Sequence, residues 1–440
     1  MTKDMTTGSP MKILIAFSIP LLIGNIFQQF YNMVDSIIVG QFVGEDALAA
    51  VGSTGSVVFL VLGFAMGIAS GFGVLISQAF GAGDTRLLRH YTAMSLTLSM
   101  IVTVILTVIT VLTARPLLVL MKTPENILDQ ATAYLTIIFA GMGCTMFYNV
   151  LSAILRGIGD SRTPLYFLVL SSVLNVLLDL FCVVTLKLGA AGAAWATVIA
   201  QGVSALLCLM YMFKKFDILK LKRDDWKFSF TSAKRLFGVG LPMALQFSIT
   251  AIGVMILQTA INRFGSTVVA AYTAASKVEQ LTTQPMVTLG TTIATYCGQN
   301  LGAGRYDRIK KGVRQGTWIA VLATAFAAFI SVVFGGSIVK WFLSNPSEEV
   351  LGYANTYLRT VSVFFIALSL LYLHRNALQG VGRAMVPMMA GGAEMVTRIF
   401  VAIVLAGSFG YPAICLASPL AWVAAEIPLF IRYMIWKKKC

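Results

Sequence analysis

Five acidic residues of this 440-residue chain stand in runs otherwise almost free of charge: Asp35, Asp179, Glu279, Glu394 and Glu426. A carboxylate in such surroundings is costly, and it marks ion or substrate pathways more often than ordinary packing. Asp35 lies in FQQFYNMVDSIIVG, where Gln28, Tyr31, Asn32 and Asp35 recur at steps of three and four and so share one helix face. Asp179 lies in LNVLLDL, four residues after Asn175, and the next apolar run carries Thr197 and Gln201, again four apart. Running back antiparallel, that helix brings Thr197 to the depth of Asp179. Two carboxylates, an amide and a hydroxyl make an all-oxygen set, which suits Na⁺ or a shared proton and does not suit zinc or copper. Two close carboxylates repel in a low dielectric, so one of them would hold a proton or Na⁺ in place of its neighbour's charge. An antiporter needs that exchange.

The remaining acids offer less. Glu394 precedes Arg398 by four residues, the spacing and order of a helical ion pair, and reads as structural. Glu426 precedes Pro428 near the last helix and reads as partly wet. Lys277 points away from Glu279 on a helix, so Glu279 has no local partner and is a candidate lining residue of a substrate cavity. His90 and His374 fall near cytoplasmic helix ends without a catalytic set, and the six cysteines show no CxxC or His-paired spacing, which makes them packing thiols. No nucleophile, base or metal cluster stands at membrane depth, so an enzyme is not expected.

The elements that position these residues follow from composition. Hydrophobic residues make up 58% of the chain and charged residues 12%, with a mean hydropathy of +0.82. Apolar runs such as 14–39, 95–114, 165–186, 190–213, 318–339 and 385–406 each hold the roughly 20 residues a helix needs to cross a bilayer. The first run follows only Lys3 and Lys12, is too long for a signal-peptide core and precedes no small-residue cleavage site, so it reads as a retained helix. About twelve helices counted from a cytoplasmic N-terminus place most of the 33 Lys and Arg on the cytoplasmic side, densest between Lys214 and Arg235. Arg375 falls among these flanking residues, whereas Lys277 and Arg398 fall inside helices. The net charge of +15 is therefore a topology signal with both termini cytoplasmic, and nucleic acid is not an expected partner.

The chain also repeats itself. Pro20 pairs with Pro242, QAFGAG from Gln78 with QNLGAG from Gln299, LRGIG from Leu155 with LQGVG from Leu378, and Pro124 with Pro346, all separated by 221–223 residues. Each half then holds six helices. An even number sets the halves parallel, related by an axis along the membrane normal, with substrate expected between them. The fold class is an all-α polytopic membrane protein of about 12 transmembrane helices. Its two six-helix lobes, residues 1–213 and 236–440, are joined by a cytoplasmic linker at 214–235. Gly63, Gly67 and Gly71 lie four apart on one face, where small residues let backbones approach. The GAG and LxGxG segments read as glycine helix stops.

The duplicated six-helix unit, the SIP and GLP openings, the paired QxxGAG ends and the LRGIGD and LQGVG segments before prolines together resemble the multidrug and toxic compound extrusion family. The resemblance implies a V-shaped pair of lobes and alternating access. It also implies export of amphipathic, often cationic compounds in exchange for H⁺ or Na⁺, by a monomer in the lipid of the cell inner membrane with no cofactor. The family's N-lobe cation site falls on Asp35, Asn175, Asp179 and Thr197, with Na⁺ as one of its two ions. Gln28, Tyr31 and Asn149 match pocket-lining positions, with Asn32 and Gln201 on the same faces, and Pro20 matches a helix-bending proline. The second half departs from the pattern. Its first helix carries Gln246 instead of a carboxylate, and the positions equivalent to Asp35 and Asp179 are Leu257 and Ala402, which leaves Glu279 as a second element. The rival expectation, a flippase for lipid-linked saccharide precursors, calls for several cavity cations where only Lys277 and Arg398 are intramembrane.

Overall fold

The long apolar runs fold as helix nearly throughout, even across internal prolines such as Pro20 and Pro242. The computed structural model describes residues 4–343 and 346–439, and among these there is no strand. Lys3 and Cys440, read above as a topology marker and a packing thiol, lie outside the described residues. The first half contains α1 Pro10–Phe42, α2 Glu45–Gly81, α3 Thr85–Leu120, α4 Glu125–Ala140, α5 Met142–Gly157, α6 Arg162–Asp179 and α7 Gly189–Lys215. The second contains α8 Phe230–Ile261, α9 Ser266–Thr282, α10 Gln284–Gly302, α11 Tyr306–Val333, α12 Gly335–Phe342, α13 Glu348–Val363, α14 Phe365–Gly380, α15 Met385–Phe400, α16 Ala406–Phe409 and α17 Tyr411–Lys439.

Among the described residues, nine helices are long and apolar enough to cross a bilayer, and the bent pairs α4–α5 (44°) and α13–α14 (51°) raise the number to eleven. The chain is a multi-pass membrane protein. The twelfth expected span corresponds to α9–α10. Its counterpart in the first half, α2, is one unbroken helix of 37 residues, whereas α10 opens with Pro285 in its first turn. Proline has no N–H for the preceding turn and clashes with it, so the helix stops at Thr282. The hydroxyls of Thr282 and Thr283 cap the Glu279 carbonyl at 3.1 and 2.8 Å.

The chain forms two compact units. Unit 1 comprises residues 1–4 and 19–244, and unit 2 comprises residues 5–18 and 245–440. Two helices are therefore shared: α1 begins in unit 2 and continues in unit 1, and α8 begins in unit 1 and continues in unit 2. Each carries an internal proline, Pro20 or Pro242, close to the point of exchange. In unit 1 the core gathers Phe72, Ile76, Leu88, Leu151, Ile154, Leu155 and Met212, with Leu219 and Leu236 from around the polar linker. That linker is anchored, since buried Asp225 accepts from Arg89 at 3.2 Å and His90 Nε2 meets the Ser232 hydroxyl at 3.0 Å. In unit 2 the segment before α1 is held the same way. The Met5 N–H donates to Gln299 at 2.9 Å, and Arg305 and Arg308 donate to the carbonyls of Thr6 and Gly8 at 2.8 and 2.9 Å.

The readings of Gly67, Gly71 and the glycine stops are borne out. Built Cβ atoms on Gly67 and Gly71 would lie 2.4 and 2.3 Å from the Cα atoms of Ala244 and Gly240, so only glycine lets the backbone of α8 lie against α2 there. Gly83 and Gly304 turn the two GAG segments at φ +69° and +68°, a conformation that suits glycine. The fifth and eleventh spans each leave regular α-helix for a wider π turn, at Leu180–Thr185 and Val401–Leu405. Such turns recur at functional positions.

Candidate functional site

In unit 1 three helices converge on the carboxylates. The face predicted for α1 brings Tyr31 and half-buried Asp35 inward, α6 supplies Asn175 and Asp179 at 1% and 0% exposure, and α7 supplies Thr197. With the Asn175 amide turned so that both of its ends are satisfied, its nitrogen donates to Asp179 Oδ2 at 2.9 Å. Its oxygen then accepts from the Thr197 N–H and hydroxyl at 3.2 Å. Tyr31 reaches the Thr197 hydroxyl at 3.4 Å. The Asp35 and Asp179 carboxyls lie within hydrogen-bonding reach of each other, while Oδ1 of each is buried without a partner. A hydrogen bond between two carboxyls needs one proton between them, and the two uncommitted oxygens are hard ligands of the kind Na⁺ or a proton takes. The chemistry of the set thus fits either ion.

The other residues of unit 1 expected to line a pocket lie on the same helices or on α5. Gln28 and Asn32 are exposed, and Asn149 donates to the carbonyl of Thr145 in its own helix at 2.8 Å. Gln201 is half-buried one turn beyond Thr197, with a buried side-chain oxygen that has no partner. One participant escaped the sequence reading: Tyr134 of α4 lies within electrostatic reach of Asp35, Asp179 and Tyr31. Nothing in its local sequence marks it, since its proximity arises from the packing of α4.

Unit 2 pairs its buried polar groups at long range. Gln246 accepts from Gln379 at 2.8 Å, and Glu279 accepts the Tyr357 hydroxyl at 2.5 Å. Tyr272 packs edge-on against Tyr357 at 4.9 Å. The Glu394–Arg398 ion pair forms as its spacing predicts, at 2.7 Å. Arg375, counted among the cytoplasmic flanking residues, has a partner that the sequence reading did not give it. It is buried and donates to the same Glu394 carboxylate at 2.8 Å, because α14 packs its inward face toward α15. Lys277 lies inside α9 as expected, with an exposed side chain. His374 is buried and bonded to Glu426 at 2.7 Å, a pair formed by the contact of α14 with α17.

The same family model, MatE, matches the sequence twice, over residues 20–181 and 242–404. The chain belongs to the MatE family. The two matches also bear out the internal duplication, since one model fits each copy. Similar proteins include the probable multidrug resistance protein YoeA of Bacillus subtilis, 31% identical over 81% of this chain and 78% of its own length. The probable multidrug resistance protein NorM of Thermotoga maritima is 26% identical over 86% and 81%. Among solved structures, the outward-facing conformation of a multidrug resistance MATE family transporter of the MOP superfamily superposes with a TM-score of 0.93 at 25% identity. That match covers 99% of this chain and 98% of the other. MatE proteins are transporters, and the all-helical fold seen here is theirs.

Proposed function

We propose that this MatE protein is an efflux antiporter that exports amphipathic, often cationic compounds in exchange for H⁺ or Na⁺ by alternating access. The observation that carries the proposal is the pair of half-buried Asp35 and buried Asp179, the latter held by Asn175 and Thr197, with an uncommitted oxygen on each carboxylate inside membrane-spanning helices. Relatives named for multidrug resistance support the substrate class. In this reading a proton or Na⁺ entering from outside neutralises the site and weakens its hold on a cationic drug, which leaves as the ion binds. Release of the ion to the cytoplasm restores the negative charge and the affinity for the next cation. Aromatic faces attract cations and methionines repack around irregular shapes, so Phe and Met side chains would supply an adaptable wall. The proposal places the protein in the cell inner membrane as a monomer, with both termini cytoplasmic and lobes 1–213 and 236–440 joined through 214–235.

The test is dye efflux from proteoliposomes under separately imposed Na⁺ and pH gradients. Efflux driven by one gradient, and lost in Asp35→Asn, is the expected result. Undiminished ion-driven efflux in Asp35→Asn would overturn the assignment of the site, and a lack of efflux under either gradient would overturn antiport.

A further inference from the structure

We propose that unit 2 contains an oxyanion site at Arg398, which takes the carboxylate or a similar oxyanion group of a transported amphipathic molecule; this rests on the export reading above. Arg398 and Arg375 are 4% and 6% exposed and share a single carboxylate, that of Glu394. One carboxylate neutralises one guanidinium, so the triad keeps a positive charge in surroundings where an uncompensated charge is costly. Its donors are also uncommitted. Nε and Nη1 of Arg398 and Nε of Arg375 are buried with no hydrogen-bond partner. A buried guanidinium with free N–H groups is the side chain best matched to an oxyanion.

The surroundings leave these donors available. Glu279 lies within electrostatic reach of Arg398 and offsets its charge at a distance. Its carboxylate binds the Tyr357 hydroxyl, however, and among the described residues it forms no ion pair with Arg398. The element facing Nη1 is α8 at Gly253, which has no side chain to compete for that nitrogen and whose built Cβ would meet it in ordinary contact at 3.5 Å. One turn earlier on the same face, the Thr250 hydroxyl is buried without a partner, a further neutral donor beside the cation.

The duplication gives the site its meaning. Arg398 lies 223 residues after Asn175, and Ala402 the same distance after Asp179, and each helix then passes into a π turn. The position that helps to hold a cation in unit 1 is thus occupied by a cation in unit 2. Two copies of one scaffold carry opposite charge at the same place, and the cation of unit 2 favours molecules that bear an anionic group.

The test uses the full-length protein in lipid nanodiscs and two dyes on one cationic scaffold, rhodamine B with its free carboxylate and rhodamine B ethyl ester, read by fluorescence polarisation. Arg398→Gln leaves Glu394 paired one-to-one with Arg375, so the variant should fold. It should weaken the carboxylate dye at least tenfold and leave the ester unchanged, and Arg398→Lys should recover most of the loss. Equal loss for both dyes in Arg398→Gln, or unchanged binding of the carboxylate dye with the ester still bound, would overturn the oxyanion site alone. Failure of the wild type to bind either dye would overturn the export reading and this inference together.

Discussion

Asp35 and Asp179 share one site but have different surroundings, and that difference separates their roles in the proposed exchange. Asp179 is fully buried and takes an amide hydrogen from Asn175, whereas Asp35 is half-buried and, in the proposed exchange, is the first to meet an arriving ion. Asp179→Asn should abolish ion-driven efflux as Asp35→Asn does. Thr197→Val, which removes a hydroxyl bonded to Asn175, should weaken apparent ion affinity several-fold, as seen in the ion dependence of transport. Glu394 has a different task, holding two guanidiniums that would otherwise be buried and unpaired. Glu394→Gln should destabilise the protein by about 3–5 kcal/mol, because breaking a buried ion pair leaves uncompensated charge. A thermal unfolding midpoint in detergent close to that of the wild type would show that the triad does little for stability.

Between helices, backbone proximity matters more than side-chain chemistry. A Cβ at Gly71 would meet the backbone of Gly240 at 2.3 Å, whereas one at Gly52, on the same helix, would meet nothing within 4 Å. Gly71→Ala should therefore cost roughly 1–3 kcal/mol by overpacking. Gly52→Ala should be neutral or stabilising, because alanine is the better helix former by up to about 1 kcal/mol. Paired thermal midpoints for the two variants check this, and similar values would mean that α2 and α8 adjust freely. The same packing argument explains the element that was hardest to foresee. The break between α9 and α10 is set by Pro285, yet only the folded unit shows that the interruption leaves Glu279 facing Tyr357 across a gap of 78 residues in sequence.

Across the chain, the exchange of segments makes the halves interdependent. Unit 1 includes residues 230–244 from beyond the linker, and unit 2 includes residues 5–18 from the start of the chain. Cutting between Lys220 and Phe228 and producing the pieces separately should give two unstable fragments, the first carrying a stray Met5–Ser18 segment and lacking the start of α8. Producing both pieces together should restore protein that sediments as one species and exports dye. A stable first fragment on its own would mean that the exchanged segments contribute little.

Much of this could be read directly from the residues. The twenty-residue apolar runs, the positive-inside bias, the repeat at 221–223 residues, the glycine stops and the Asn175–Asp179 pair are all local or periodic, and periodicity survives in a one-dimensional record. Glu394 with Arg398 was legible for the same reason, since four residues make one helical turn. Contacts between helices distant in sequence were not. Tyr134 beside the carboxylates, Arg375 on Glu394, Tyr357 on Glu279, His374 on Glu426 and the sharing of α1 and α8 between units all depend on which faces meet when helices pack. Helix register dictates which residues share a face. Which faces then meet is chosen by shape and buried charge summed over the whole fold, and no spacing within a single helix carries that information.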